Sequence, residues 1–315
     1  MIDDGILPVL EKRLGRLHAR QRLGIESDSE AKIFKRGANF FHLENWYSIH
    51  AVIKNCLRMV GMYRRGVRNA LNVRVLHNTI ELANLPPAFD GLTLLHITDL
   101  HVDMSRDAVS AIINSVADLE YDICVLTGDY RAKTFGPYEA VLQGMEKLRA
   151  HLRAPIYAVL GNHDTVRMVP GLESLEINML LNESVTIRRE DQNLHLVGID
   201  DAHYFRVDNI EKAVQGIDHD EVTILLSHTP EIYRQAAHAG FDVILCGHTH
   251  GGQICLPGGY PITLDANCPR YMGAGAWRYH NMVGYTSVGA GTCIVGVRIN
   301  CPPEVTLHHL KVAHS

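Results

Sequence analysis

The sequence predicts an α/β fold in which the two halves of a mixed sheet pack face to face, with helices on the outside. Five short apolar runs have the length of buried strands, and each one ends in polar side chains. Helical segments alternate with these runs, as is typical of α/β domains. The runs are Leu94–Thr98, Ile123–Thr127, Ile156–Leu160, Val222–Leu226 and Phe241–Cys246. Because such sheets bind ligands beyond the carboxyl ends of their strands, we expect a functional site where these runs end.

Residues 1–85 are predicted to form a basic, largely helical extension in front of the main domain. The extension opens on an apolar series at helical spacing: Leu7, Leu10, Leu14 and Leu17. A second helical stretch is expected from Glu44 to about Arg68, and a strand from Val73 to Leu82. Pro86-Pro87 marks the join to a domain that spans residues 86–315.

The second helical stretch has two interpretations. Residues 44–68 mix apolar and basic side chains after the aromatic Trp46, a pattern typical of a helix that lies on a membrane surface. The alternative is a helix packed on the domain with a solvated basic face. Residues 1–70 have a charge balance of +6 and the remainder −11, so the extension is expected to contact a membrane surface, a phosphate-bearing substrate or the acidic domain itself.

Further helices and strands are predicted within the domain. The helices are expected at Ala108–Leu119, Tyr138–Leu152, Leu172–Leu181, Asn209–Val214 and Glu231–His238. The strands are expected at Leu194–Ile199 and, after a segment rich in glycine and proline, at Met282–Val288, Cys293–Ile299 and Val305–Leu310.

The composition excludes several classes of protein. The chain is 46% apolar and 21% charged, which is ordinary for a globular protein and unlike a disordered one. Seven cysteines without a C-x-x-C motif suit a reducing compartment. No secretory signal or membrane-spanning run is visible, so a cytoplasmic protein is expected, either free or peripheral at the inner face of the membrane. The basic residues lie outside the domain and lack an aromatic stacking platform, so nucleic acid is not expected as the main partner.

The strand ends supply seven potential metal ligands. These are Asp99, His101, Asp129, Asn162, His228, His248 and His250. Seven ligands are too many for one tetrahedral zinc ion, but they suit two divalent ions that share a carboxylate, for which Asp129 is the natural bridge. Nitrogen and oxygen ligands without thiolate favour manganese, iron or zinc over copper, and disfavour calcium or magnesium as sole occupants.

The ordered motifs resemble those of the calcineurin-like metallophosphoesterases. The motifs are Asp99-x-His101, Gly128-Asp129, Gly161-Asn162-His163-Asp164, His228 and Gly247-His248-x-His250. This resemblance covers about Leu92 to the C-terminus and implies a four-layered α/β/β/α sandwich that holds two metals. It implies one metal on Asp99, His101, Asp129 and His250, and the other on Asp129, Asn162, His228 and His248.

The chemistry implied by the resemblance is hydrolysis of a phosphate ester by a metal-bridging hydroxide. His163 is expected to face the phosphate as a general acid or an electrostatic stabiliser. Many family members carry an Asp or Asn shortly after the Gly-Asp motif to orient this histidine, whereas residues 130–134 here contain neither. Asp164 is a candidate replacement. Arg131 is a candidate phosphate contact, with a solvated loop cation as the equal alternative.

Three functions follow from this reading. A phosphodiesterase is expected first. The first alternative is a hydrolase of a lipid-linked diphosphate such as UDP-2,3-diacylglucosamine, because Gly251-Gly252-Gln253 and Ser227-His228-Thr229-Pro230 resemble a membrane-associated branch of the family. The second alternative is a non-catalytic, metal-bound scaffold that recruits partners through the basic extension. The complete ligand set together with His163 favours catalysis.

Overall fold

Two six-stranded mixed sheets form the centre of the protein in the computed structural model, which describes residues 5–36, 47–153 and 155–313. The first sheet contains β1 (Arg74–Leu82), β2 (Thr93–Ile97), β3 (Ile123–Leu126), β4 (Ile156–Ala158), β5 (Asn178–Met179) and β12 (Glu304–Val312). Its spatial order is β1-β12-β2-β3-β4-β5. Strands β2 to β5 run parallel, and β12 is antiparallel to β2. The carboxyl ends of β2, β3 and β4 therefore lie at one edge.

The second sheet also has six strands and a parallel centre. It contains β6 (Glu183–Arg189), β7 (Gln192–Gly198), β8 (Thr223–Leu226), β9 (Val243–Cys246), β10 (Gly275–Tyr279) and β11 (Met282–Thr286). Its order is β10-β11-β9-β8-β7-β6, in which β7, β8, β9 and β11 are parallel and the two outer strands are antiparallel to their neighbours.

The two sheets pack face to face and helices cover their outer faces, which confirms the predicted α/β/β/α sandwich. Leu94 and Val125 of the first sheet belong to the same buried cluster as Ile224 and Val243 of the second. Because side chains alternate along a strand, Leu95 points the other way, into a cluster on the outer face of the first sheet.

Different helices cover the two outer faces. The first sheet is covered by α5 (Arg106–Val116), α6 (Glu139–Arg149) and α7 (Val169–Ser174), together with the N-terminal α1 (Leu7–Leu14) and α2 (Arg16–Arg36). The second sheet is covered by α8 (Ile210–Ala213) and α9 (Tyr233–His238). Each outer face thus buries its apolar side chains, as a stable layered fold requires.

The N-terminal segment is helical, as predicted, but the helices differ from the expected ones. The single stretch expected from Glu44 to Arg68 is two helices, α3 (Tyr47–Met59) and α4 (Tyr63–Ala70), with Gly61 at φ 69° between them. Gly61 adopts this left-handed conformation without steric penalty, which separates the two helices. Glu44 and Trp46 lie outside the described residues. Among the described helices, none combines the length and the apolar character needed to cross a bilayer.

Several predicted elements are corrected by the structure. Leu10 and Leu14 are buried, but Leu17 is 84% exposed because the chain turns at Gly15 between α1 and α2. The helix expected at residues 172–181 ends at Ser174 and is followed by β5. The strand expected at residues 293–299 forms turns instead, and the β6–β7 hairpin was only half predicted.

Strand β1 connects the N-terminal segment to the domain. All nine of its residues pair with β12 in the first sheet. The domain boundary at residue 85 remains a prediction. Strand β1 lies before this boundary, yet it is the edge strand of a sheet whose other strands belong to the domain.

Candidate metal centre

The structure brings the seven candidate ligands together at the carboxyl ends of five strands. Asp99 and His101 follow β2, Asp129 follows β3 and Asn162 follows β4 in the first sheet. His228 follows β8, and His248 and His250 follow β9 in the second sheet. Because the two sheets face each other, their strand ends converge on one space from both sides.

One group of ligand atoms surrounds Asp99. Its Oδ1 lies 3.4 Å from His250 Nε2, and the Nε2 atoms of His250 and His101 are 3.1 Å apart. His101 Nε2 is also 3.9 Å from Asp129 Oδ2. The side chains of Asp99, His101 and His250 thus point at one position, and Asp129 lies on the opposite side of that position.

A second group lies on the other side of Asp129. Its Oδ2 is 3.3 Å from His228 Nε2, which is 3.0 Å from the amide oxygen of Asn162. His248 offers a ring nitrogen within 4.8 Å of the ligand atoms of Asp129 and His228. The two groups match the two ligand sets that the sequence resemblance implied, and Asp129 belongs to both.

Backbone carbonyls fix the orientation of two imidazole rings. His101 Nδ1 is 2.7 Å from the carbonyl oxygen of Arg131, and His228 Nδ1 is 2.8 Å from that of Thr127. A carbonyl oxygen can only accept, so each Nδ1 carries a proton and Nε2 is the ring nitrogen that faces the centre. This is how histidines that bind metals are usually held.

The electrostatics suit a divalent cation. Burial lowers the pKa of His101, His248 and His250, which keeps their rings neutral and able to bind a metal. Burial opposes protonation of His228, but the charge and hydrogen bond of Asp129, together with the charge of Asp99 and the carbonyl oxygen of Thr127, outweigh it and raise the pKa of His228 to about 10. Asp99 Oδ1 and His248 Nε2 are buried without a hydrogen-bond partner. Such unpaired buried atoms are costly, and bound cations would satisfy them. The residues therefore fit a pair of divalent metal ions.

The backbone of the ligands is strained. Five of the seven, Asp99, His101, Asp129, His248 and His250, have φ between 42° and 72°, in the left-handed region. This region costs non-glycine residues about 1–3 kcal/mol each and is retained where a functional site demands it.

The ligand loops approach each other so closely that two positions require glycine. A side chain on Gly161 would overlap Asp129 Oδ1, and one on Gly128 would lie 2.8 Å from the Cα of Gly161. Asp129 can therefore reach both ligand groups only because the two loops are in backbone contact.

His163 lies beside the ligands and faces the same space. Its Nε2 is 3.9 Å from Asp129 Oδ2, and its Nδ1 is 3.3 Å from the hydroxyl oxygen of Thr134. Both His163 and Thr134 are buried. Thr134 thus occupies the orienting position for which the sequence offered no carboxylate or amide. Sequence reasoning missed it because only those two groups were considered there.

Asp164 and Arg131 have positions other than the expected ones. The Asp164 carboxylate accepts four backbone N–H groups, from Asp129, Tyr130, Arg131 and Gly161, at 2.8 to 3.2 Å. It therefore fixes the loop that carries Asp129 and does not orient the ring of His163.

The side chain of Arg131 is buried and donates to the backbone carbonyls of His163 (2.8 Å), Gly136 (3.0 Å) and Thr134. It therefore faces the protein interior and is neither a solvated cation nor directed at a substrate phosphate.

Three further residues lie at the centre without having been chosen from the sequence as ligands. His203 lines the cavity, with its ring 4.2 Å from that of His248 and its Nδ1 3.1 Å from Glu231 Oε2. Asp265 lies near this pair, and Cys293 lies near His101 and His250. Asp265 and Cys293 lie on loops that do not directly follow a strand, whereas His203 lies five residues after the end of β7.

A cavity of about 470 Å³ opens over the ligands. Asp129, Asn162, His163, His248 and His250 line its floor. Helix α3 and the loops around Ile254, Ile262 and Ile294 line its sides. The ligand groups are thus accessible to a small or elongated substrate.

Sequence comparisons identify relatives of this chain. A sequence profile described as calcineurin-like phosphoesterase matches residues 92–252. The chain is 31% identical to the metallophosphoesterase YkoQ of Bacillus subtilis, over 77% of this chain and 92% of the relative. It is 28% identical to phosphodiesterase YaeI of Escherichia coli, over 69% of this chain and 81% of that one. It is also 29% identical to a bovine transmembrane protein with a metallophosphoesterase domain, over 74% of this chain and 56% of the relative.

Proposed function

This chain belongs to the calcineurin-like phosphoesterase family and is a phosphoric ester hydrolase, and within that activity we propose that it is a phosphodiesterase with a dinuclear metal centre. The observation that supports the proposal is the convergence of seven nitrogen and oxygen ligands in two groups that share Asp129. The absence of thiolate among the seven favours manganese, iron or zinc. The family assignment favours the enzyme over the non-catalytic scaffold.

The residues of the chain divide the work of hydrolysis. Divalent ions in the two groups would lower the pKa of a bound water and neutralise the charge that develops on the phosphoryl oxygens. Asp129 holds the two groups at a fixed separation. His163 Nε2 faces the same space and can donate a proton to the leaving oxygen, which typically contributes about 10²- to 10⁴-fold in rate. Thr134 keeps the His163 ring in that orientation.

The decisive test is a paired measurement of metal content and turnover. Protein stripped of metal and reloaded with manganese is assayed on bis-p-nitrophenyl phosphate and on p-nitrophenyl phosphate. We expect two ions per chain, metal-dependent turnover and a preference for the diester. Turnover that does not depend on metal would contradict the proposal, as would a single ion per chain.

His163→Ala tests the role of the buried histidine. We expect the variant to retain both ions and to lose at least about 10²-fold in turnover, because His163 is not a ligand. His151→Ala, at an exposed histidine, is the matched control and keeps full activity. Full activity of His163→Ala would refute the assigned role.

A second candidate is hydrolysis of a lipid-linked diphosphate, such as UDP-2,3-diacylglucosamine, at a membrane surface. The observation that favours it is the position of α3, whose residues Val52 and Ile53 line the cavity while Met59 is 84% exposed. Residues 47–70 also carry five basic side chains and no acidic one. A basic surface with exposed apolar residues is attracted to anionic bilayers.

Vesicle binding tests this contact. We expect the protein to co-sediment with vesicles that contain phosphatidylglycerol and to remain in solution with phosphatidylcholine alone. Arg64→Glu/Arg65→Glu, at two exposed positions of α4, reverses charge and should abolish the binding. The control Arg188→Glu, on strand β6 and far from α4 in the sequence, should leave vesicle binding unchanged. Equal binding to both kinds of vesicle would count against an electrostatic membrane contact.

A further inference from the structure

We propose that the cavity contains an apolar subsite for the hydrocarbon arm of an amphiphilic phosphate ester, with helix α3 as one of its walls. The inference rests on the proposed phosphodiesterase activity and specifies its substrate class. The phosphate lies at the ligand end of the cavity, and the hydrocarbon arm extends between α3 and the loops that face it.

Three segments of the chain build the apolar end of the cavity. They contribute Val52, Ile53, Cys56 and Leu57 from α3, Ile254 and Ile262 from the loop after β9, and Ile294 and Val295 from the loop before β12. The same cavity reaches Asp129 and His163. A substrate phosphate at the ligands therefore places its ester substituent beside apolar side chains.

The α3 wall is anchored at one end and open at the other. Leu57 is buried with Val295 and Val297 in one cluster, which fixes the helix against the domain. Val52 is 59% exposed and Ile262 on the facing loop is 56% exposed. Exposed apolar side chains at a cavity mouth gain stabilisation only when another apolar surface covers them. A hydrocarbon arm supplies that surface.

The polar side chain of Gln253, on the facing wall, is already used within the protein. Gln253 lines the cavity, but its amide nitrogen donates to the carbonyl oxygens of Cys293 (2.8 Å) and Val295 (3.0 Å). Its amide oxygen accepts from Cys293 N at 2.8 Å. Gln253 thus shapes the wall, and a polar substituent such as a nucleobase would not find it as a partner.

Backbone strain marks the same wall. Ile294 has φ 62°, which is rare for a β-branched residue. The hydrogen bonds of Gln253 to both neighbours of Ile294 hold it there. A strained β-branched residue that lines a cavity is typical of a position selected for ligand contact.

Chain-length dependence of hydrolysis tests the subsite. The substrates are p-nitrophenyl phosphodiesters of methanol, butanol and octanol, used below the concentration at which they aggregate. Water attacks phosphorus, the P–O bond to the aryl group breaks, p-nitrophenolate leaves and the alkyl phosphate remains. We expect kcat/KM to rise by at least ~10-fold from methyl to octyl, since each fully buried methylene contributes about fourfold.

Variants at the two walls locate the effect. Val52→Ser on α3 and Ile262→Ser on the loop should each lower the octyl-to-methyl ratio about threefold or more. Met59→Ser, on the same helix but outside the cavity lining, should keep the wild-type ratio. Metal content measured on each variant establishes that its centre is intact.

The outcomes distinguish a failure of the proposed subsite from a failure of the proposed phosphodiesterase activity. A wild-type enzyme that hydrolyses all three diesters at equal kcat/KM would overturn the subsite and leave the phosphodiesterase standing. Unchanged ratios in both wall variants would also overturn it. A metal-loaded enzyme that hydrolyses no diester would contradict the phosphodiesterase itself, and the subsite with it.

Discussion

Thr134 and Asp164 act on the centre without being metal ligands. The Thr134 hydroxyl lies 3.3 Å from His163 Nδ1, and the Asp164 carboxylate accepts four backbone N–H groups of the ligand loops. Supporting groups of this kind set the orientation of the residues that face the substrate. At this scale, therefore, activity depends on hydrogen bonds one step away from the ligands.

Thr134→Val removes the hydroxyl and keeps the shape of the side chain. Because His163 loses its orienting partner, we expect kcat to fall about 10-fold with little change in KM or metal content. Thr134→Ser keeps the hydroxyl and should restore most of kcat. If the valine and serine variants have the same kcat, the hydroxyl does not position His163.

The elements of the site are short loops in which glycine permits contact between backbones. Gly161 follows β4 and touches the Asp129 carboxylate, which follows β3. No other residue fits there without moving Asp129, which belongs to both ligand groups. The separation of neighbouring strand ends thus determines the position of the shared carboxylate.

Gly161→Ala should displace Asp129 and lower metal occupancy, with a loss of activity of at least ~100-fold. Gly24→Ala is the matched control, since its added methyl group meets no atom and alanine favours a helix by about 1 kcal/mol. We expect this control to retain activity and to gain slightly in thermal stability. Normal metal content and turnover in Gly161→Ala would show that the loop contact is not needed.

At the scale of the whole molecule, helix α2 joins the two halves of the sandwich. Arg22 donates to the carbonyl oxygen of Asp164 at 2.9 Å, beside the first sheet, and lies 3.6 Å from the carboxylate of Asp200, which follows β7 in the second. Glu26 accepts from Thr165 and Val166. The N-terminal segment therefore helps to hold the strand ends of the two sheets in position relative to each other.

The pH dependence of stability tests the α2 contact. Burial opposes ionisation of Asp200, but Arg22 and His18 outweigh it and lower its pKa below the usual 3.8. The folded state then releases the Asp200 proton more readily than the unfolded state, so this contribution is complete above pH ~4 and is lost as pH falls further.

Asp200→Asn removes one of the two carboxylates beside the buried Arg22 and leaves Glu26, whose Oε1 lies 3.3 Å from Arg22 Nε, so we expect a loss of about 1–3 kcal/mol at pH 7. The difference from wild type should shrink as the pH falls below ~4, measured by urea unfolding. The control Asp118→Asn, at an exposed position, should change little at any pH. A pH-independent difference for Asp200→Asn would contradict the ionic contact.

Metal removal should destabilise the whole sandwich. The ligands come from both sheets, so a bound metal links them, and a ligand that binds only the folded state adds about 2.7 kcal/mol at 100 times its dissociation constant. We expect chelation to lower the melting temperature and added manganese to restore it. An unchanged melting temperature would indicate that the metals do not bridge the two sheets.

The sequence by itself determined the class of fold and identified the candidate ligands. Short apolar runs that end in Asp99, Asp129, Asn162 or His228 indicate parallel strands whose carboxyl ends carry a site, because this pattern is local in the chain. The same local signals did not predict β5 or the break between α3 and α4 at Gly61, because both features depend on the tertiary contacts of the segments in which they lie.

Only the tertiary structure decided which side chains support the ligands and what surrounds the substrate. Arg131 and Asp164 looked like functional groups in the sequence, yet their hydrogen bonds to backbone atoms are made between separate loops. The cavity wall joins α3 to loops about 200 residues further along the chain. Contacts at such separations leave no periodic signal in the sequence, because each segment needs only to be apolar, and the fold alone brings those segments to the same cavity.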